Sequence, residues 1–170
     1  MRVTPELVKR FPHMFSGEHG GRTLFRGWSP ILATACEQIQ IALSGTGVDF
    51  SWYRLALCDG EPLFLYLLGV RRRFVLDVEG DSRCVEVQLI PGVERTFCPG
   101  LDAIVRESER IASQSCLVCG APASATRHFG VLLALCERHS PEILNDPYDE
   151  GLEGVWREAI EWDDQPPPRP

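Results

Sequence analysis

The amino-acid sequence predicts an α+β protein: an antiparallel meander of three or four strands covered by amphipathic helices, with a small cysteine-rich module near the C-terminus. Three observations carry this. Apolar residues recur at helical spacing over 30–43 and 102–113. Between those stretches the chain alternates apolar and polar residues at period two, the pattern of strands covered on one face. Then Cys116, Cys119, Cys136 and His139 fall together in two short pairs.

Taken in order, Thr4-Pro5-Glu6 joins a capping residue to an early proline and predicts a helix near 5–10, which Pro12 stops. Residues 16–27, with Gly17, Gly20, Gly21 and Gly27, read as loop. Ser29-Pro30 repeats the start signal. Ile31, Leu32, Ala35, Ile39, Ala42 and Leu43 then give one buried helical face over 30–43, ended by Ser44-Gly45. Strands occupy 52–90. Trp52–Cys58 and Leu63–Gly69 flank the turn Asp59-Gly60-Glu61-Pro62; Arg72, Phe74, Leu76 and Val78 mark a further strand, and Val85, Val87 and Leu89 another beyond Glu79-Gly80-Asp81. Leu101, Ile104, Val105, Ser108, Ile111 and Ala112 form the stripe of a covering helix over 102–113. Residues 1–114 are thus the body, 115–146 the cysteine module, and 147–170 an acidic helix with a flexible proline-rich tail.

Seven cysteines is an odd number, which argues against a fully paired disulfide framework. Cys36, Cys58, Cys84 and Cys98 stand singly among apolar residues, as small buried hydrophobes do. The other three are different. Cys116-Leu-Val-Cys119-Gly-Ala-Pro is followed by Leu135-Cys136-Glu-Arg-His139, and two intervening residues let a tight turn aim both ligands of a pair at one ion. Residues 125–135 have the length of a hairpin that returns the second pair to the first, and Ser140-Pro141 opens a helix behind it. Knuckle, hairpin and helix form the layout of a zinc-ribbon or treble-clef-like module, with Cys116, Cys119, Cys136 and His139 as ligands of a structural Zn²⁺. Four protein ligands leave tetrahedral zinc no position for an activated water. A redox dithiol, an iron–sulfur cluster and chance proximity of core cysteines are the competing readings of the same residues.

Charge narrows the function classes. With 17 basic and 24 acidic residues the net charge is −7, and all of it resides in residues 137–170; the preceding 136 residues are neutral. Such a tail is repelled by phosphates and attracts a basic protein. The longest apolar run, Leu63–Val70, is far short of the ~20 residues a membrane helix needs, and the N-terminus lacks the apolar stretch of a signal peptide, so a cytoplasmic protein with no membrane association is expected. No G-x-S-x-G or phosphate-cradling glycine loop occurs, and His13, His19 and His128 stand alone, so no enzyme is expected. His128 lies where some treble-clef nucleases keep a base, but 141–149 holds no further histidine for their second metal. A nucleic-acid-binding zinc ribbon is the main alternative, with Arg71-Arg72-Arg73, Arg127 and Arg138 as its patch. The favoured reading is a non-enzymatic protein that binds a protein partner. Tyr148, Trp156, Glu158 and Trp162 would supply aromatic anchors and an acidic rim. The competing arrangement packs Trp156 and Ile160 on the protein's own core and leaves the acids to water.

Three features together, Phe11-Pro12-His13-Met14-Phe15, Gly27-Trp28-Ser29-Pro30-Ile31 leading to Cys36, and Cys116–Pro122 with Leu135–His139, resemble a family of small uncharacterised proteins encoded by phages, prophages and bacterial genomes. The resemblance covers about two-thirds of the chain and is strongest in the final module. It implies a metal site and a fold, and it brings no activity. The acidic extension beyond His139 departs from the family pattern, whose chains often end soon after the last ligand.

Overall fold

The computed structural model describes residues 4–17, 19–73, 84–88 and 99–164. Helix α1 (Glu6–Arg10) and a 3₁₀ turn (Pro12–Phe15) lead into strand β1 (Arg22–Phe25) and helix α2 (Ser29–Leu43). Strands β2 (Val48–Cys58), β3 (Glu61–Arg73) and β4 (Cys84–Gln88) follow, then helix α3 (Pro99–Ser113). The hairpin β5 (Ala125–His128) and β6 (Val131–Ala134) precedes helices α4 (Pro141–Leu144) and α5 (Glu153–Ala159) and a last strand, β7 (Ile160–Asp164).

The expected antiparallel meander is present in β2–β3–β4, but it is only part of the sheet. The sheet has five strands in the order β4-β3-β2-β1-β7 and is mixed, because β1 runs parallel to β2 while β7 runs antiparallel to β1. Both additional strands come from segments whose sequence reads otherwise. Residues 22–25, within the glycine-rich stretch, form a strand rather than loop. Residues 160–164, the expected end of the acidic helix, turn out of α5 into the sheet. Their acids explain why: Asp164 faces Arg22 and Asp163 faces Thr23 in register, so opposite charge and a hydroxyl–carboxylate bond of 3.0 Å join the strands.

Strand β3 also runs unbroken to Arg73 and pairs with β4 through Gly69–Arg73, where the sequence suggests two successive strands. The expected turn at 79–81, the ends of the adjoining strands and the tail at 165–170 lie outside the described residues. At the other end, Cys58 pairs with Glu61 across a two-residue turn whose Asp59 and Gly60 both have positive φ (50° and 84°), the mirror-image geometry that matches strand twist.

Helices α2 and α3 pack on each other, and α3 packs on β3. The core between them is aromatic. Phe25, Trp28 and Phe64 meet edge to face at 4.6 and 5.2 Å, and Phe50 bridges Trp52 (4.9 Å) and Tyr66 (5.1 Å). Trp28, Trp52 and Phe64 are wholly buried. Each such ring contributes about 2–3 kcal/mol of burial, with roughly 1 kcal/mol more for a well-oriented pair. Cys116 and Leu117 belong to the same buried cluster as Trp28 and Val105, so the cysteine module shares the body's core. Ser29 is the first residue of α2, not its cap; its hydroxyl binds Glu161 at 2.5 Å and ties the helix start to β7.

Candidate metal centre

Three separate local structures bring the four ligands together. Helix α3 ends at Ser113, and Ser115 bridges Pro122 in a short antiparallel contact that folds Cys116–Gly120 into a knuckle. Cys116 N–H donates to the Ala121 carbonyl and Gly120 N–H to the Cys116 carbonyl, each at 2.8 Å. Gly120 has φ of +74°, which explains the glycine directly after the Cys-x-x-Cys pair. Strands β5 and β6 then form a two-residue hairpin, and Leu117 N–H donates to the Ala134 carbonyl at 3.0 Å, holding the knuckle beside the strand that delivers Cys136. Finally a 3₁₀ turn over Glu137–His139, closed by His139 N–H to the Cys136 carbonyl at 2.9 Å, swings the imidazole back.

The result is a Cys₃His cluster whose ligand atoms all lie within 4.8 Å of one another. Cys119 and Cys136 sulfurs are 3.8 Å apart, and His139 Nδ1 is 3.5 Å from Cys116 Sγ and 3.2 Å from Cys136 Sγ. A tetrahedron with metal–sulfur bonds of ~2.3 Å and metal–nitrogen bonds of ~2.05 Å has edges of about 3.8 Å (S–S) and about 3.5 Å (S–N). The cluster fits that figure, and its sulfur separation is nearly twice a disulfide's ~2.05 Å. The four residues could hold a metal ion.

The electrostatics agree. Burial alone would raise the Cys116 thiol, but amides of Cys136, Cys119 and Val118 and the Cys136 thiol act against it, and the pKa lies below the ordinary value. At Cys119 burial, Cys136 and Cys116 together outweigh the Ala121 amide and the pKa lies above it. Sulfurs crowded this closely resist carrying charge together, and a divalent cation removes that conflict.

The remaining expected site residues fare differently. Trp156 packs beside Phe25 at 6.1 Å, and Trp162 packs edge-on to Phe15 at 6.1 Å with the Arg22 guanidinium 5.6 Å above its ring. Glu158 pairs with Arg26 at 3.8 Å. Trp156 and Glu158 join helix α5, and Trp162 joins β7, to residues 15–26, so the chain's own N-terminal segment takes up much of what the sequence offers to a partner. Tyr148 alone stands clear, 94% exposed. His128 accepts or donates a 2.7 Å bond with Thr126 and lies outside the ligand cluster.

Two further residues hold this region together without being expected as site residues. Arg22 is 3% exposed; it donates to the Phe15 carbonyl at 2.6 Å and pairs with Asp164. Gly27 donates its N–H to the Leu117 carbonyl at 2.8 Å, and a Cβ there would lie 1.9 Å from the Cys116 carbonyl oxygen. Gly27 opens the Gly-Trp-Ser-Pro-Ile segment of the sequence, which marks a helix start but not the backbone contact made here.

No family model matches the chain, and no curated protein or solved structure matches it either. Among the described residues, no helix is long and apolar enough to cross a membrane.

Proposed function

We propose that this chain is a non-enzymatic, zinc-stabilised interaction protein that binds a protein partner, and that it belongs among the phage-related proteins its motifs resemble. The closure of four protein ligands around one point carries this reading. Three sulfurs and an imidazole nitrogen at the corners of one tetrahedron are a donor set suited to Zn²⁺, and four such ligands complete its coordination. When bound, the ion supplies cross-linking of the knuckle to the hairpin and the 3₁₀ turn. The residues of the chain orient it: amides hold the Cys116 thiolate, and Gly120 keeps the knuckle's tight turn. Reduced thiols suit a cytoplasmic setting.

A basic partner fits the surface after α4. Ile143 (61% exposed) and Tyr148 stand among exposed Glu142, Asp146 and Glu150. An aromatic anchor within an acidic rim favours a cationic protein over a nucleic acid. Deleting residues 147–170 would also remove β7, so the informative variant is Tyr148→Ala. Capture of a basic protein by the wild type, lost in Tyr148→Ala with metal content and Tm unchanged, is the expected result. Salt-sensitive retardation of DNA or RNA in a gel, unaffected by Tyr148→Ala, would replace it with the nucleic-acid reading.

A further inference from the structure

A second surface lies on the far side of the metal module. The β5–β6 hairpin leans over the β2–β3 turn closely enough that a Cβ on Gly60 would sit 2.6 Å from the Leu132 side chain. Between this hairpin, the sheet and α5 runs a cavity of about 760 Å³, with Phe25, Leu57, Leu132, Trp156 and Ile160 among its walls. Its volume lies within the range of ligand and peptide sites. Three features set it apart from an ordinary surface cleft.

First, it carries a charge opposite to the chain's. Arg54 and Arg127 line it with Asp59, a local excess of one positive charge on a protein of net −7. Arg54 makes no ion pair or hydrogen bond among the described residues, and Arg127 reaches only the Gly130 carbonyl at 2.7 Å. Secondly, Trp156 is only half-buried, so its indole forms an open part of the apolar wall. Thirdly, the hairpin tip beside the cavity holds Phe129, 68% exposed, at φ of 48°. A bulky residue in left-handed backbone costs about 1–2 kcal/mol, and Asn or Gly would fill that turn position without strain. With Val131, 41% exposed and part of the cavity wall, Phe129 makes the hairpin tip an exposed apolar surface.

We infer that this groove binds an extended acidic peptide segment of a protein partner, with an apolar side chain seated against Trp156 and Leu132 and flanking carboxylates on Arg54 and Arg127. The guanidinium fork matches a carboxylate through two parallel hydrogen bonds. A peptide fits better than a nucleic acid because the wall is largely apolar and only two cations line it, enough for one or two carboxylates but not for a run of phosphates. The inference rests on the interaction-protein reading and adds a second, oppositely charged contact to it.

Selection of displayed random peptides on the metal-loaded full chain tests it. Enriched peptides carrying Asp or Glu next to Phe, Leu, Ile or Trp are expected. When synthesised with a fluorescein label, they should lose about tenfold or more in affinity toward Arg54→Glu/Arg127→Glu, measured by anisotropy. Phe129→Asn should weaken them without lowering Tm. Enrichment of basic or uncharged peptides, or unchanged affinity for the double variant, would overturn the inference. So would tighter binding of oligothymidylate at the same arginines, or self-association of the chain that the double variant abolishes. Failure here with Tyr148-dependent capture intact removes the groove alone; loss of both removes the interaction reading itself.

Discussion

The Gly27 amide donates to the Leu117 carbonyl at 2.8 Å, and the Gly27 carbonyl oxygen lies 2.9 Å from where a Cβ on Gly120 would be. Backbone therefore packs on backbone where the body meets the metal knuckle, leaving no room for a methyl group on either side. Gly27→Ala should destabilise the protein by about 2–4 kcal/mol, since the obstructing atoms are main chain and cannot rotate away. Thermal unfolding should show Tm lowered by roughly 5–15 °C. Gly100→Ala, at ordinary φ like Gly27 and with nothing near its Cβ, is the control without the clash.

Metal analysis should find about one zinc per chain, and the cobalt-substituted protein should show the intense visible bands of a tetrahedral thiolate site. Cys136→Ser should abolish stoichiometric binding. Chelation should lower Tm by at least about 10 °C, because the knuckle it releases shares the core with Trp28. The ligands bind only when deprotonated, so acid must favour the metal-free form, and metal-dependent stability should fall as pH is lowered. An absence of bound metal in material purified without chelator would refute the structural-ion reading.

Arg22 is buried, and Asp164 is its counter-charge. Asp164→Ala would leave the guanidinium with only the Phe15 and Trp52 carbonyl oxygens and would also remove the carboxylate beside His19. The expected cost is about 2–3 kcal/mol, below the figure for a fully buried pair because Asp164 is 30% exposed. Urea denaturation measures it directly. A variant within about 0.5 kcal/mol of the wild type would show that the Arg22–Asp164 pair does not hold β7 in place.

Cys36 offers a test at the alkaline end. Burial raises its thiol to about 11, against which the Trp52 indole donating to Sγ at 3.4 Å acts only partly. A thiol raised on folding favours the neutral native form below its unfolded pKa, so that stabilisation is lost as pH climbs from about 9 to about 11. The loss should amount to about 2–3 kcal/mol and be missing from the pH profile of Cys36→Ala. Native Cys36 should also resist iodoacetamide at pH values where unfolded chains react.

Much of this arrangement was legible in the sequence. Helices over 29–43 and 99–113 and the paired ligands follow from local spacing, which a linear sequence records directly. Strands β1 and β7 are not legible locally because each is only four or five residues long and mixes charged with core residues, and they pair with each other across the length of the chain. Arg22 and Thr23 look like loop residues until Asp164 and Asp163 face them. Trp156 and Trp162 likewise look available until Phe25 and Phe15 cover them. The groove is legible from no single segment, since Arg54 and Arg127 meet only after the hairpin folds back across the β2–β3 turn.

The bond between Arg22 and Asp164 spans 142 positions along the chain. During translation, β1 therefore presents a bare hydrogen-bonding edge for as long as the ribosome withholds residues 160–164. The nascent chain must wait with a strand, a buried-to-be cation and the rings of Phe15 and Phe25 open to whatever else is nearby. A chaperone or co-expressed binder that shields this edge should raise the yield of folded protein more than one acting on the metal module, which is assembled from neighbours close in sequence.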